Sequence, residues 1–180
     1  MKTKICIFLM TLCFVNCMNA QIISEKEVKG TQNVYMQKET KGSYIVFNKN
    51  NKLAEIDPSY LLYNNIPPVT VGNKSELDKI VHAYIVPYFN KYQGEFSLVA
   101  ALTVSLFSDI DGNLREVRIS YPKEIGMISG SVFEEFEAAV LQSNVKLVFD
   151  KEHYVFQGTA WVGQYAIYDP EKLRNCKGEH

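Results

Sequence analysis

Cysteine is scarce where a fold would use it. Of four in the chain, Cys6, Cys13 and Cys17 come before position 20, and Cys176 stands alone near the end. One thiol beyond position 20 closes no disulfide within the chain and forms no CxxC metal pair, so a domain there is held by its apolar core. Neither sign of charge is in excess: 19 Lys and Arg face 20 Asp and Glu. Lys2 and Lys4 are the only charged residues before position 21, so the remainder carries 17 minus 20, or −3. Phosphate recognition needs a concentrated cationic face, and none is present, which argues against nucleic acid as a partner.

Catalytic signatures are missing too. There is no GxSxG and no HExxH, and the glycine pair in "GMISG" at 126–130 is not followed by Lys-Ser or Lys-Thr. Three histidines are scattered: His82 on the flank of a predicted helix, His153 in a predicted turn, and His180 near the end beside Cys176. None has metal-ligand spacing. Asp109, Asp111, Gly112 and Asn113 resemble a calcium loop, but Phe107 and Arg118 stand where its first and last acidic ligands belong. Adjacent Glu134 and Glu135 fall at a predicted helix start, where carboxylates stabilise the dipole rather than form an acid–base pair. No catalytic residue, cofactor or metal ion is expected.

Long apolar runs are limited to one. Basic Lys2 and Lys4 precede the 11-residue stretch 5–15, and small Ala20 follows. That is the build of a secretory signal peptide, and it is shorter than the ~20 residues a spanning helix needs. Residues 1–20 therefore read as a signal peptide, and the mature chain begins at Gln21, exported to a periplasmic or extracellular space. The alternative is a lipoprotein anchored at Cys17, although Asn16 is larger than the residue such signals favour there; an uncleaved anchor is the third reading.

The remainder reads as a single α+β domain over 21–168, with a polar tail at 169–180. Residues 21–65 form a β extension. Within it, 21–30 is polar and loose, Val34 to Met36 is a short strand, and 44–47 with 53–56 make a hairpin about Lys49-Asn50-Asn51. Leu77, Ile80, Val81, Tyr84, Tyr88 and Phe89 predict a helix over 73–92, kinked or stopped at Pro87. Alternation predicts a strand at 96–107, with Leu98, Ala100, Leu102, Val104 and Leu106 on one face. An Asp-Gly turn follows, and then a return strand at 114–121. A second helix is predicted over 131–143, with Ser131 and Glu134 as its capping box. A second hairpin then pairs 145–149 with a long strand at 154–167 that is apolar on both faces. The expected architecture is an antiparallel sheet with two helices packed on one face, plus an N-terminal β-hairpin extension.

The order helix, strand, Asp-Gly turn, strand, helix, strand, with "LTVSLFSDIDGNLREVRIS" and "SVFEEFEAAVLQS", resembles the C-terminal domain of TonB over roughly 75–168. The family's Tyr-Pro before the first helix is replaced by Pro67-Pro68-Val69, and a long anchor and Pro-rich linker are missing, so energy transduction is not implied. The resemblance implies a scaffold whose last strand accepts a partner strand. The functional expectation is a non-catalytic binding or assembly module of a bacterial envelope. Its partner would be an envelope protein or peptide, met at a sheet edge or an aromatic sheet face that includes Trp161 and Tyr165. Membrane contact is expected only if Cys17 is lipidated. The alternative is a small-molecule or peptide carrier with an aromatic pocket between sheet and N-terminal hairpin; a third is an enzyme whose site is assembled only in three dimensions. Intact-mass analysis of the exported form should give a chain starting at Gln21; a diacylglycerol adduct at Cys17 would overturn that.

Overall fold

Alternating apolar residues build one sheet, and helical stripes build the layer that covers it. The structure, a computed structural model, describes residues 22–55, 68–97 and 100–175. Among the described residues the strands are β1 (Ser24–Lys29), β2 (Val34–Glu39), β3 (Ser43–Asn48), β4 (Thr70–Gly72), β5 (Leu102–Ser108), β6 (Leu114–Pro122), β7 (Lys146–Val148) and β8 (Val162–Tyr168). The helices are α1 (Lys74–Tyr84), α2 (Val86–Lys91), α3 (Gly130–Gln142), α4 (Lys151–Phe156) and α5 (Pro170–Asn175). Six strands form an antiparallel sheet in the order β1-β2-β3-β6-β5-β8, and β4 pairs with β7 in a separate two-stranded ribbon.

Register places Val104 beside Ile119 and Ala166, and Leu106 beside Val117. Leu102, Val104, Leu106, Val117 and Ile119 are fully buried and share one core with Leu77 and Val81 of α1 and Phe133, Phe136 and Val140 of α3. Each such side chain contributes roughly 1.5–3 kcal/mol by leaving water. Helix α1 stops at Tyr84, and α2 begins after Ile85 with Pro87 in its first turn, where the missing N–H costs nothing. The kink or stop expected at Pro87 is found as a break at Ile85, two residues upstream, and the helix resumes through Pro87.

Other expectations are corrected. Residues 24–29 are not loose: they form β1, the exposed edge of the sheet. Strand β3 pairs with β2 and β6, whereas Leu53–Glu55 is a turn of 3-10 helix, so the hairpin about Asn50 does not form. The N-terminal hairpin continues the sheet in its own plane and is not folded over a face of it. The strand expected from 96 starts at Leu102, and Leu98 lies outside the described residues.

The largest departure is at 154–167. Asp150 accepts the His153 N–H at 3.2 Å and caps a helix, α4, which turns Tyr154 into the core and Val155 and Phe156 outward. Strand β7 consequently pairs with β4 and not with β8. The supposed polar tail begins with α5, whose Leu173 is buried and whose Arg174 donates to the Gly94 carbonyl at 2.6 Å. Residues 1–20, read above as a signal peptide, and Cys176 and His180 lie outside the described residues.

Leu102→Ala should lower stability by ~2–5 kcal/mol, the usual range for a buried leucine, seen as a shifted denaturation midpoint. An unshifted midpoint would mean that Leu102 does not face the core.

Candidate functional site

Sequence singled out Trp161 and Tyr165, and the structure puts them on one side of the sheet with different fates. Tyr165 pairs with Ser105 and Ile167 with Thr103, on the face opposite the helices. Trp161 is 6% exposed, with its ring 5.4 Å from that of Phe107. It lies so close over Gly163 that a β-carbon there would meet the indole at 2.9 Å. Tyr165 is 53% exposed and Ile167 68%. Accessibility therefore belongs to Tyr165 and Ile167, and Trp161 is packed.

Both residues belong to β8, one of the two edges of the sheet. The other edge, β1, reads SEKEVK and carries four charges in six residues, a pattern that discourages edge-to-edge pairing. Strand β8 reads VGQYAIY and carries none. Its edge is closed by side chain instead: Gln164 Oε1 accepts the Tyr165 N–H at 2.8 Å, and its Nε2 donates to the Val69 carbonyl. From the helix side, Asp78 of α1 accepts the Tyr168 hydroxyl at 2.8 Å, which with burial raises that phenol well above its ordinary value.

The Asp-Gly turn is structural. Asp109 Oδ1 accepts N–H groups of Asp111 (2.9 Å) and Asn113 (3.0 Å), and Oδ2 accepts Arg115 at 2.7 Å. Burial pushes this carboxyl up, but those donors outweigh it and hold it below its ordinary value. Asp111 pairs with Lys151. Gly112 is required twice over: its φ is +81°, and a β-carbon would meet the Leu147 carbonyl oxygen at 2.2 Å. His82 and His153 are half-buried and far from any cluster of metal-ligating side chains, of which the described residues contain none.

A polar constellation that sequence reasoning missed sits at the far end of the sheet. Glu134 forms no capping box; the N-cap of α3 is Ser129, which accepts the Val132 N–H at 3.4 Å. Glu134 reaches across to the β1–β2 turn. There it accepts the successive backbone N–H groups of Thr31 (2.5 Å), Gln32 (3.0 Å) and Asn33 (3.0 Å), and Asn33 Nδ2 at 2.8 Å. One turn on, Glu137 Oε2 accepts the Tyr35 hydroxyl at 2.9 Å and Asn48 Nδ2 at 3.1 Å. Burial pushes the Glu137 carboxyl up despite both donors. The clue was present in the sequence: Glu137 falls on the same helical stripe as Phe133, Phe136 and Val140.

No family model matches the sequence, and no curated protein matches it. The fold is similar to that of a DUF5043 family protein from Bacteroides uniformis, with a TM-score of 0.56 at 11% identity, covering 83% of this chain and 88% of that one. At such identity the likeness concerns the fold alone.

Glu134 generates a pH prediction. Desolvation pushes its carboxyl up, but the N–H groups of Gln32, Thr31 and Asn33 outweigh that and hold it below its ordinary 4.5. An acid depressed in the folded state adds stability that is full above the unfolded value and lost as pH falls through the folded one. Glu134→Gln should therefore be less stable than the parent at neutral pH, and more so than Glu135→Gln. The gap should shrink as pH drops from about 6 to about 3. A gap constant over that range in denaturant melts would show that the carboxylate charge is not what holds the turn.

Proposed function

We propose that the chain is an exported, non-catalytic binding or assembly module of a bacterial cell envelope, and that it receives an extended segment of a partner protein along β8. One observation carries this reading: the two sheet edges differ, β1 being charged while β8 is uncharged and bears exposed Tyr165 and Ile167. An added strand gains main-chain hydrogen bonds from an edge and side-chain specificity from alternate residues, here Tyr165 and Ile167. The Gln164 side chain, which occupies the Tyr165 N–H, is a bond an incoming carbonyl replaces. Export is supported by the basic-then-apolar start and Ala20, and the scaffold role by the resemblance to TonB C-terminal domains. Trp161 contributes by packing under the strand, not by contact.

The test is affinity capture from native envelope extract with the parent and with Tyr165→Ser/Ile167→Lys, both verified as folded by circular dichroism. A partner retained by the parent and lost by the variant supports the reading. An identical set of captured proteins overturns it.

A further inference from the structure

Between the β1–β2 turn, the end of β3, the start of β6 and the outer face of α3 lies an open cleft of about 800 Å³. It is at the opposite end of the sheet from β8 and independent of the proposal made there. Its walls hold Glu116, Glu134, Glu135 and Glu137 against a single cation, Arg115, whose guanidinium is engaged by Asp109. The charge alone would say little. What distinguishes the cleft is how its hydrogen-bonding groups are turned.

Four asparagines line it, and three of them direct the amide N–H₂ inward to a fixed acceptor: Asn33 to Glu134, Asn48 to Glu137 Oε2, and Asn51 to the Val117 carbonyl at 3.0 Å. These partners only accept, so the orientation of each amide is set by chemistry. Asn33 Oδ1 and Asn51 Oδ1 are left as acceptors without a donor among the described residues. Glu137 adds the decisive group. The residue is 6% exposed, both of its donors are on Oε2, and Oε1 has no donor among the described residues although Glu137 lines the cleft. An oxygen on a residue so buried keeps few of its water contacts, and the amides fixed beside the cleft, Asn33 and Asn51, add acceptors rather than donors; the donors on the wall are the side chains of Thr31, Gln32, Asn50 and Gln142.

We propose that this cleft binds an organic cation carrying several N–H donors, a primary ammonium or a guanidinium, borne by a free polyamine or by a basic side chain of a peptide. Such a group supplies the donors that Glu137 Oε1, Asn33 Oδ1 and Asn51 Oδ1 lack, and it offsets the four glutamates. A charge-assisted N–H···O⁻ bond in a partly desolvated site is roughly twice as strong as a neutral one. A metal ion fits less well, because no cluster of His, Cys, Asp and Glu among the described residues has a metal-binding arrangement.

Calorimetric titration of the purified protein at low salt with spermidine, agmatine and N-acetyl-arginine amide tests this, with maltose as a neutral polyhydroxyl control. Spermidine or agmatine should saturate one site per chain. Ala138→Lys, which sets an ammonium on the cleft wall, should weaken binding by about tenfold or more, as should Glu137→Gln. Gln142→Lys, an exposed position on the same wall, replaces either change should circular dichroism show a perturbed fold. N-acetyl-arginine amide binding as well as agmatine points to a peptide side chain, and a preference for spermidine to a polyamine; both support the shared chemistry. No saturable binding of any cation, binding undiminished in the folded variants, or maltose binding as tightly as agmatine overturns the proposal.

Discussion

The hold of α3 on the β1–β2 turn is the contact on which the N-terminal half depends. Strand β1 buries almost nothing; five of its six residues are exposed. A strand of that kind gains too little apolar burial to offset the ~1–2 kcal/mol per residue that ordering the backbone costs. Glu134 supplies the missing stabilisation, since three consecutive N–H groups converging on one carboxylate form an anion-binding turn in which the anion is part of the chain. Gly130 permits the approach, because a β-carbon at the first residue of α3 would lie 2.3 Å from the Lys29 carbonyl oxygen. Tyr35 completes the contact, its ring 4.8 Å from Phe133 at a right angle and its hydroxyl on Glu137. Remove the carboxylate and three donors of the turn lose their partner on α3 and are left to water.

That device explains what the sequence disclosed and what it concealed. The β5–β6 hairpin was legible because its information is local: Leu102, Val104 and Leu106 alternate, Asp109 to Asn113 encode a turn, and Val117, Ile119 and Tyr121 return on the same face. The break at Ile85 is equally local, since the ring of Pro87 crowds the turn before it. Strand β1 was not legible because nothing in SEKEVK favours order; its partners are β2 and a helix about a hundred residues away. Helix α4 was misread because Tyr154, Val155 and Phe156 favour strands, while the stronger instruction is the Asp150 cap on the His153 N–H. Trp161 shows a different limit. Alternation placed it correctly on the face of Tyr165, but whether a residue on a face is covered depends on its neighbours there, and Phe107 with Gly163 gives the indole a bed that Tyr165 lacks.

The two ends of the sheet are built on opposite terms. At the β1 end, order comes from carboxylates and amides: Glu134 and Glu137 bind the hairpin, and Glu116 accepts the N–H groups of Lys52 and Leu53 at 2.7 and 3.0 Å. At the β8 end it comes from the buried side chains of Val162 and Ala166, from the Tyr168 bond to Asp78 of α1 and from one glutamine that folds back over its own strand. The charged edge is closed to further strands by its composition. Among the described residues Gln164 caps the uncharged edge, and its bond to the Tyr165 N–H uses the same donor as the bond a partner strand would make. Exchange of one such bond for another is close to neutral in free energy, so the association we propose at β8 turns on what Tyr165 and Ile167 bury, not on main-chain pairing alone.

The polar end follows from a constraint of its own. Each loop tied down there is tied through its N–H groups, because the anchors are glutamates and can only accept. Where a side chain gives one atom to such a contact its other oxygen can face out, so a fold stabilised by glutamate-to-amide contacts acquires acceptors at its surface as a by-product of its own stability. Asn33 and Asn51 repeat the pattern with N–H₂ inside, whereas Asn48 Oδ1 accepts the Asn50 N–H at 3.0 Å. Glu137 shows it within a single side chain, with Oε2 serving the architecture and Oε1 turned toward the cleft. The chemistry available at this surface is therefore set by the folding problem: a hairpin with too little apolar surface is held by carboxylates, and the carboxylates and amides that hold it leave a site complementary to donors of positive charge.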